Sequence, residues 1–258
     1  MILAHRFEGP EDGLPLLLIH PLGADQTFWD ECRRHMGDGV RTISCDLRGS
    51  GASPDLDAPL TLDTTVADME RLRDHLGLDR MVVIGCAVGA MACGAYAARH
   101  GDRALALVMS NPGIRVTPAG AENLRQRAVL VRRSGMAVLL PAAVENAFVG
   151  YAETSARDLY EARFISQKAE NYALAVLGAA AADIADEARR ISCPVLLVPG
   201  RNDKLFPREQ TDEIATRIPR ATIVAFNEGA HFIPYQQPRE FGATVSAFLK
   251  QSGLLQSA

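Results

Sequence analysis

The segment covering residues 81–90 constrains the fold of this chain more than any other stretch of the sequence. An apolar run, MVVI, leads into Gly85-Cys86-Ala87-Val88-Gly89-Ala90, in which small residues flank the centre of the segment. The apolar run predicts a buried strand, the small residues a tight turn, and the alanine-rich stretch 91–100 a helix packed closely beneath it. A strand that turns directly into a helix is typical of α/β proteins with a parallel sheet.

The rest of the chain alternates between strand and helix patterns in the same way. Helical spacing of apolar residues predicts helices at 62–76, ending at Gly77, and at 239–250. Further strands are predicted at 14–19, 41–45, 105–109, 194–200 and 221–226. This alternation predicts an α/β fold with a mostly parallel sheet flanked by helices.

The pattern changes between residues 114 and 190. That stretch contains amphipathic, alanine-rich segments without a convincing strand, and we expect breaks at Gly120, Gly135, Pro141 and Gly150. The sequence therefore predicts a core formed by residues 1–113 and 191–258, with residues 114–190 inserted as a helical unit.

Composition excludes several classes of protein. The formal net charge of -4, with 22% charged and 48% hydrophobic residues, is ordinary for a globular chain and offers no basic surface for nucleic acid or anionic membrane. No transmembrane-length run and no signal-peptide pattern is found, so we expect a cytoplasmic protein. The five cysteines are scattered without C-x-x-C spacing, which predicts reduced thiols rather than disulfides or a metal site. No cofactor is expected.

Five motifs, taken in order, resemble those of the α/β-hydrolase family. The loop His20-Pro21-Leu22-Gly23-Ala24-Asp25 follows the first predicted strand, and the turn Asp46-Leu47-Arg48-Gly49-Ser50-Gly51-Ala52-Ser53 follows the second. The segment 85–90 is similar to the nucleophile elbow of that family, small-x-Ser-x-small. Asp203 and His231 each follow a later strand, in the order nucleophile, acid, histidine that this fold shows.

The resemblance implies a role for each of these positions. Ala87 stands at the nucleophile position, Asp203 at that of the acid and His231 at that of the base, while the backbone N–H groups of Leu22 and Val88 would form the oxyanion hole. Residues 114–190 would form the cap over the site. Within the family, the stretch PLGADQTFWD at 21–30 is similar to 3-oxoadipate enol-lactonases and related small lactone or ester hydrolases.

Alanine at position 87 leaves several functions open. A methyl group cannot attack a carbonyl, so the chain as written is expected to be an inactive form of a carboxylic ester or lactone hydrolase whose serine has been replaced. Alternatively, alanine is natural, and the chain is a non-hydrolytic ligand-binding protein or a C–C bond hydrolase of the same fold. A third possibility, Cys86 as nucleophile, places the thiol one residue early, where it should point into the core.

An excess of arginine in the first part of the insertion gives the only indication of substrate charge. Arginine binds planar carboxylates through two parallel hydrogen bonds, so we expect Arg115 and Arg125, together with Trp29, to contact a small, anionic ester or lactone. The alternative is a solvated helix face. Arg48 is expected to be structural, and the sequence leaves open a monomer or a homodimer. The arginines of this segment, opposed only by Glu122, are Arg115, Arg125, Arg127, Arg132 and Arg133.

Overall fold

A computed structural model describes residues 1–151 and 154–256, and the strands among them form one sheet with the order β1-β3-β2-β4-β5-β6-β7. Only the edge strand β1 is antiparallel to its neighbour, and the other paired strands are parallel. The strands are β1 (His5–Glu8), β2 (Leu14–Ile19), β3 (Val40–Cys45), β4 (Met81–Cys86), β5 (Ala104–Ser110), β6 (Val195–Val198) and β7 (Thr222–Ile223).

Helices flank the sheet, and α2 packs directly on β4 and β5. Within the same described residues, none of the helices combines the length and apolar character needed to cross a bilayer. The α-helices are α1 (Leu62–His75), α2 (Val88–Arg99), α3 (Pro118–Ser134), α4 (Leu140–Ala147), α5 (Thr154–Ser166), α6 (Ala169–Ala179), α7 (Arg208–Arg217), α8 (Ile233–Gln236) and α9 (Pro238–Gln251).

The structure differs from the sequence-based expectation mainly at the edges of the sheet. Strand β1 was not predicted, because its four residues, HRFE, are half-buried or exposed and lack a continuous apolar run. Strand β7 covers only two residues of the predicted 221–226, although an isolated bridge joins Phe226 to Gly200. Both differences fall where a strand has a neighbour on one side only, so burial leaves a weak signal.

Helices α3 to α6 lie between β5 and β6, in the stretch predicted to be helical. Two of the expected breaks are wrong. Gly120 lies in the first turn of α3, where its N–H donates to the Thr117 side chain at 3.1 Å. Pro141 lies in the first turn of α4, where its missing N–H leaves no helical hydrogen bond unmade. Gly135, with φ of 74°, does end α3.

The turn after β3 is held by side chains, as its motif indicated. The Asp46 carboxylate accepts from the backbone N–H of Gln26 at 2.7 Å and of Ala52 at 2.9 Å. Arg48 donates two hydrogen bonds, of 3.0 and 2.6 Å, to the buried Asp68 of α1. Arg48 is therefore structural, because a bidentate pair with a buried carboxylate fixes its fork.

Candidate active site

The turn between β4 and α2 places Ala87 at its apex in a strained conformation. Ala87 has φ of 54° and ψ of -120°, a region that non-glycine residues rarely adopt and that costs about 1–3 kcal/mol. Small neighbours make the turn possible: a Cβ on Gly89 would lie 2.6 Å from the Ile19 carbonyl oxygen, and one on Gly85 would lie 2.3 Å from the Gly89 carbonyl oxygen. The chain thus keeps the backbone geometry of an elbow while carrying a methyl group at its apex.

His231 and Asp203 form a buried pair beside this turn. The His231 Nδ1 lies 3.0 Å from each carboxylate oxygen of Asp203. One of those oxygens also accepts from the backbone N–H of Leu205 at 2.9 Å and of Phe206 at 3.0 Å. Because the Nδ1–H group donates its hydrogen bond to the carboxylate, the other ring nitrogen, Nε2, is free to act as a base.

The environment of Asp203 keeps the carboxylate ionised. Burial by itself would raise the pKa of Asp203, but the charge of His231 and the hydrogen bonds from His231, Phe206 and Asn111 outweigh it, so the pKa is lowered. An ionised carboxylate fixes the tautomer of the imidazole and stabilises its protonated form. The pair therefore has the electrostatics that a general base requires.

Asn111 also belongs to this site, although the sequence did not predict it. It directly follows β5, with φ of 49°, and its Nδ2 donates to Asp203 at 2.9 Å and to the Ala230 carbonyl oxygen at 2.6 Å. Its Oδ1 accepts from the Ile233 N–H at 3.2 Å. Asn111 thus links Asp203 to the backbone just before and just after His231. An asparagine in a left-handed turn is too common a pattern to have indicated this role.

Two backbone N–H groups near Ala87 are available to a ligand. Val88 is the first residue of α2, so its N–H has no acceptor within the helix. Within the described residues, neither it nor the N–H of Leu22 donates to any protein group. Both residues line the same cavity as Ala87 and His231. This arrangement suits stabilisation of a carbonyl oxygen that becomes negatively charged.

The helical insertion packs on the loop that carries Leu22. Gln167 donates from Nε2 to the Gly23 carbonyl oxygen at 2.8 Å. Gly23 has φ of 76°, and a Cβ there would lie 2.8 Å from the Phe164 ring of α5. A glycine is needed at this position both for the backbone conformation and for the close approach of the ring.

His20, on the other side of this loop, is fixed in its neutral form. Its Nδ1 lies 2.9 Å from the Pro21 carbonyl oxygen, and its Nε2 accepts from the Leu47 N–H at 2.9 Å. Burial lowers the pKa of His20, because the charged ring would lose its water. His20 therefore ties the Leu22 loop to the turn after β3 and has no nitrogen left for a substrate.

A cavity of about 390 Å³ lies between the sheet edge and the helical insertion. This volume is suited to a small organic molecule. Ala87, Val88, Leu22, His231 and Phe232 form its floor. Its roof is formed by Ala119, Asn123, Leu124 and Arg127 of α3, Ala143, Asn146 and Ala147 of α4, Tyr160 and Phe164 of α5, and Tyr172 of α6.

The three residues expected to contact substrate lie elsewhere, which corrects that expectation. Arg115 forms two hydrogen bonds, of 2.7 and 2.8 Å, with Glu213. Arg125 is exposed, 3.5 Å from Glu122. Trp29 is fully buried in the core, in contact with the rings of Phe28 and Phe241.

Each of these three residues lies away from the cavity because it has a partner or a packing site that the linear sequence does not reveal. Of the arginines in this segment, it is Arg127 that lines the cavity. Arg132 pairs with Glu170 at 2.7 Å.

Cys86 is placed where the thiol is inert. Its Sγ lies 3.7 Å from Asn111 Oδ1 and 3.8 Å from the backbone oxygen of His231, beneath the elbow rather than beside the imidazole. Burial raises the pKa of the Cys86 thiol well above its usual value. The thiolate form that a nucleophile needs is therefore disfavoured.

This arrangement of residues around one cavity is the one that the motifs of the α/β-hydrolase family predicted. Residues 15–238 match the alpha/beta hydrolase fold family, and the chain belongs to that family.

Relatives of this chain include enol-lactonases and a carbamate hydrolase. It is 26% identical over 246 residues to 3-oxoadipate enol-lactonase 2 of Acinetobacter baylyi, covering 94% of this chain and 91% of that one. It is 30% identical over 252 residues to "Putative carbamate hydrolase RutD" of Caulobacter sp., covering 93% and 92%. The enol-lactonase structure from Burkholderia xenovorans LB400 superposes with a TM-score of 0.91 at 28% identity, covering 96% of each chain. The resemblance of the sequence to enol-lactonases is thus confirmed.

Proposed function

We propose that this chain carries the site of a Ser-His-Asp type carboxylic ester or lactone hydrolase for small substrates, with Ala87 at the position of the nucleophile. The observation that carries the proposal is the convergence of four features on one cavity: the elbow at Ala87, the His231–Asp203 pair and the unpartnered N–H groups of Leu22 and Val88. Relatives named for enol-lactone and carbamate hydrolysis support it, since both reactions transfer an acyl group.

A hydroxyl at position 87 would complete an acyl-transfer site. His231 Nε2 would take the hydroxyl proton as the oxygen attacks the carbonyl carbon, and the N–H groups of Leu22 and Val88 would stabilise the oxyanion. The imidazolium, stabilised by Asp203, would then give its proton to the departing alcohol or enol oxygen. Water activated by the same imidazole would release the acid and regenerate the hydroxyl.

With alanine at position 87, the acyl-enzyme cannot form. The base and the oxyanion hole remain, so the route left to the chain is direct attack by a water whose proton passes to His231. In a well-studied serine protease, the machinery that survives loss of the triad retains about 10³–10⁴-fold acceleration over water. The chain as written is therefore expected to bind such substrates without forming an acyl-enzyme and to hydrolyse them only weakly.

A second candidate, a ligand-binding protein without turnover, is favoured by Ala87 itself. The hydrogen bonds of Asp203 argue against this candidate. Its carboxylate, 5% exposed, accepts from Asn111, Leu205 and Phe206 as well as from His231. A buried carboxylate with this many directed donors is expected where a base must be oriented, and binding alone does not require it.

Restoring the hydroxyl tests the proposal. Ala87→Ser should hydrolyse p-nitrophenyl acetate or a member of a panel of small lactones at least about 10³-fold faster than the parent chain, because loss of the nucleophile alone costs about 10⁶-fold in kcat in a well-studied serine protease. As a matched control, Ala87→Ser combined with His231→Asn should lose that gain. Equal rates for Ala87→Ser and the parent, on a substrate that binds both, would contradict the hydrolase assignment and favour the binding protein.

A further inference from the structure

The charges that line the cavity are all positive. Arg127 lies in its roof and Lys204 at its edge, and no aspartate or glutamate in the described part of the chain lines it. Of the other arginines of this segment, Arg115, Arg125 and Arg132 each pair with a carboxylate, and Arg133 is exposed and does not line the cavity. Among the ion pairs of residues 1–151 and 154–256, Arg127 has none.

Two buried tyrosines of the roof add hydrogen-bond donors. Tyr160 is 5% exposed and Tyr172 4% exposed. Within the described residues, the Tyr160 hydroxyl has no hydrogen-bond partner. The Tyr172 hydroxyl accepts from the Arg127 guanidinium, which cannot accept in return, so among the same residues the Tyr172 proton also has no acceptor. Burial raises the pKa of both phenols, which keeps them protonated.

We infer that Arg127, Tyr160 and Tyr172, the donor cluster, bind a carboxylate of the substrate in the roof of the cavity. A carboxylate is acceptor-only and carries one negative charge, so it can accept from the two tyrosine hydroxyls and neutralise the guanidinium. A neutral amide or alcohol could hydrogen-bond to the tyrosine hydroxyls but would leave the charge of Arg127 without a counter-charge. All three residues line the cavity, so a ligand bound there can accept from them.

The position of the donor cluster defines where the carboxylate stands on the substrate. A row of packed rings links the cluster to the base: the ring centroids lie 5.4 Å apart for Tyr172 and Phe164, 5.8 Å for Phe164 and Tyr160, 5.5 Å for Tyr160 and Phe232, and 5.0 Å for Phe232 and His231. The carboxylate therefore lies under the roof while the reacting carbonyl lies on the floor. The substrate class is an ester or lactone with a carboxylate at the end remote from the reacting carbonyl. This placement of the carbonyl rests on the proposed function, whereas the carboxylate site does not.

Binding to the parent chain tests the inference, because Ala87 prevents acyl-enzyme turnover during a titration. The probes are monomethyl glutarate, which carries one carboxylate and one ester, and the neutral dimethyl glutarate. The parent should bind the monoester more tightly than the diester in calorimetry. Arg127→Gln should weaken the monoester about ten- to a hundredfold, the loss expected for a hydrogen bond to a charged group, and leave the diester unchanged.

Matched variants separate this site from general charge effects. Arg125→Gln, on the same helix but exposed and paired with Glu122, should bind both probes as the parent does. Tyr172→Phe should show a smaller, monoester-specific loss, and Arg127→Lys an intermediate one. If Arg127→Gln does not fold, as judged by circular dichroism, these last two variants decide the question.

Three results would overturn the inference. They are no preference of the parent for the monoester, an equal loss of affinity for both probes in Arg127→Gln, or a loss of affinity for the monoester in Arg125→Gln as large as that in Arg127→Gln. Its failure is distinguishable from failure of the proposed function. If Ala87→Ser is inactive while Arg127→Gln loses the monoester selectively, the carboxylate site stands and the hydrolase assignment falls. If Ala87→Ser is active on neutral esters and the selective loss is absent, the reverse holds.

Discussion

Replacing Ala87 with glycine should reveal the backbone strain stored in the elbow. With φ of 54° and ψ of -120°, Ala87 occupies a region open to glycine, and the strain that glycine would relieve is about 1–3 kcal/mol. Two terms oppose this gain. Glycine adds about 0.4–1 kcal/mol of unfolded-chain entropy, and burying one methyl group less costs about 0.8 kcal/mol.

A buried alanine of the adjacent helix provides the control for those opposing terms. Ala90 lies inside α2 and is fully buried. Ala90→Gly also increases the entropy of the unfolded chain and removes one buried methyl group, but it relieves no backbone strain. The free energies of unfolding of the two variants should therefore differ by about 1–3 kcal/mol, with Ala87→Gly the more stable.

Thermal unfolding followed by circular dichroism measures this difference. For a chain of this length, each kcal/mol corresponds to about 2–4 °C in the melting temperature. If Ala87→Gly and Ala90→Gly lose the same stability, the elbow stores no strain and the reasoning from its backbone angles is refuted.

Two further predictions concern buried groups around the site. Because the folded chain holds the pKa of His20 below its unfolded value of about 6.5, the unfolded chain binds a proton that the folded chain refuses, and the free energy of unfolding should fall as the pH drops below about 6.5. Urea titrations across this range should show a shallower fall for His20→Gln, and an identical slope would contradict the assignment. Cys193, which is half-buried, should react with a thiol reagent before Cys86 does, and Cys86→Ala in the Ala87→Ser background should keep its activity. Rapid labelling of Cys86 that blocks turnover would contradict the burial of its thiol.

The parts of the fold and site that could be predicted from the sequence are those encoded by local patterns. Strands β2, β4, β5 and β6 are mostly apolar because they are buried by neighbours on both sides, and the small residues around Ala87 reflect contacts within a few residues of it. The order of Ala87, Asp203 and His231 could be read for the same reason. Each lies in the connection that follows a strand, β4, β6 and β7 respectively, and the carboxyl ends of these parallel strands meet at one edge of the sheet.

Features that depend on long-range contacts could not be predicted. Arg115, Arg125 and Arg127 look alike in the sequence, but their surroundings differ. Arg115 pairs with Glu213, which lies far along the chain, and Arg125 pairs with Glu122, whereas Arg127 lines the cavity. Trp29 was expected to contact the substrate, but its ring is buried in the core against Phe28 and Phe241.

The preserved geometry of the elbow also bears on how this chain can evolve. Every alanine codon becomes a serine codon when its first base changes from G to T, and the backbone at position 87 already has the unusual dihedral angles described above. No second substitution is required to make room for the turn, because Gly85 and Gly89 are in place. The chain therefore stands a single nucleotide from a complete set of reacting groups, and loss or recovery of chemistry at this position is open to ordinary point mutation.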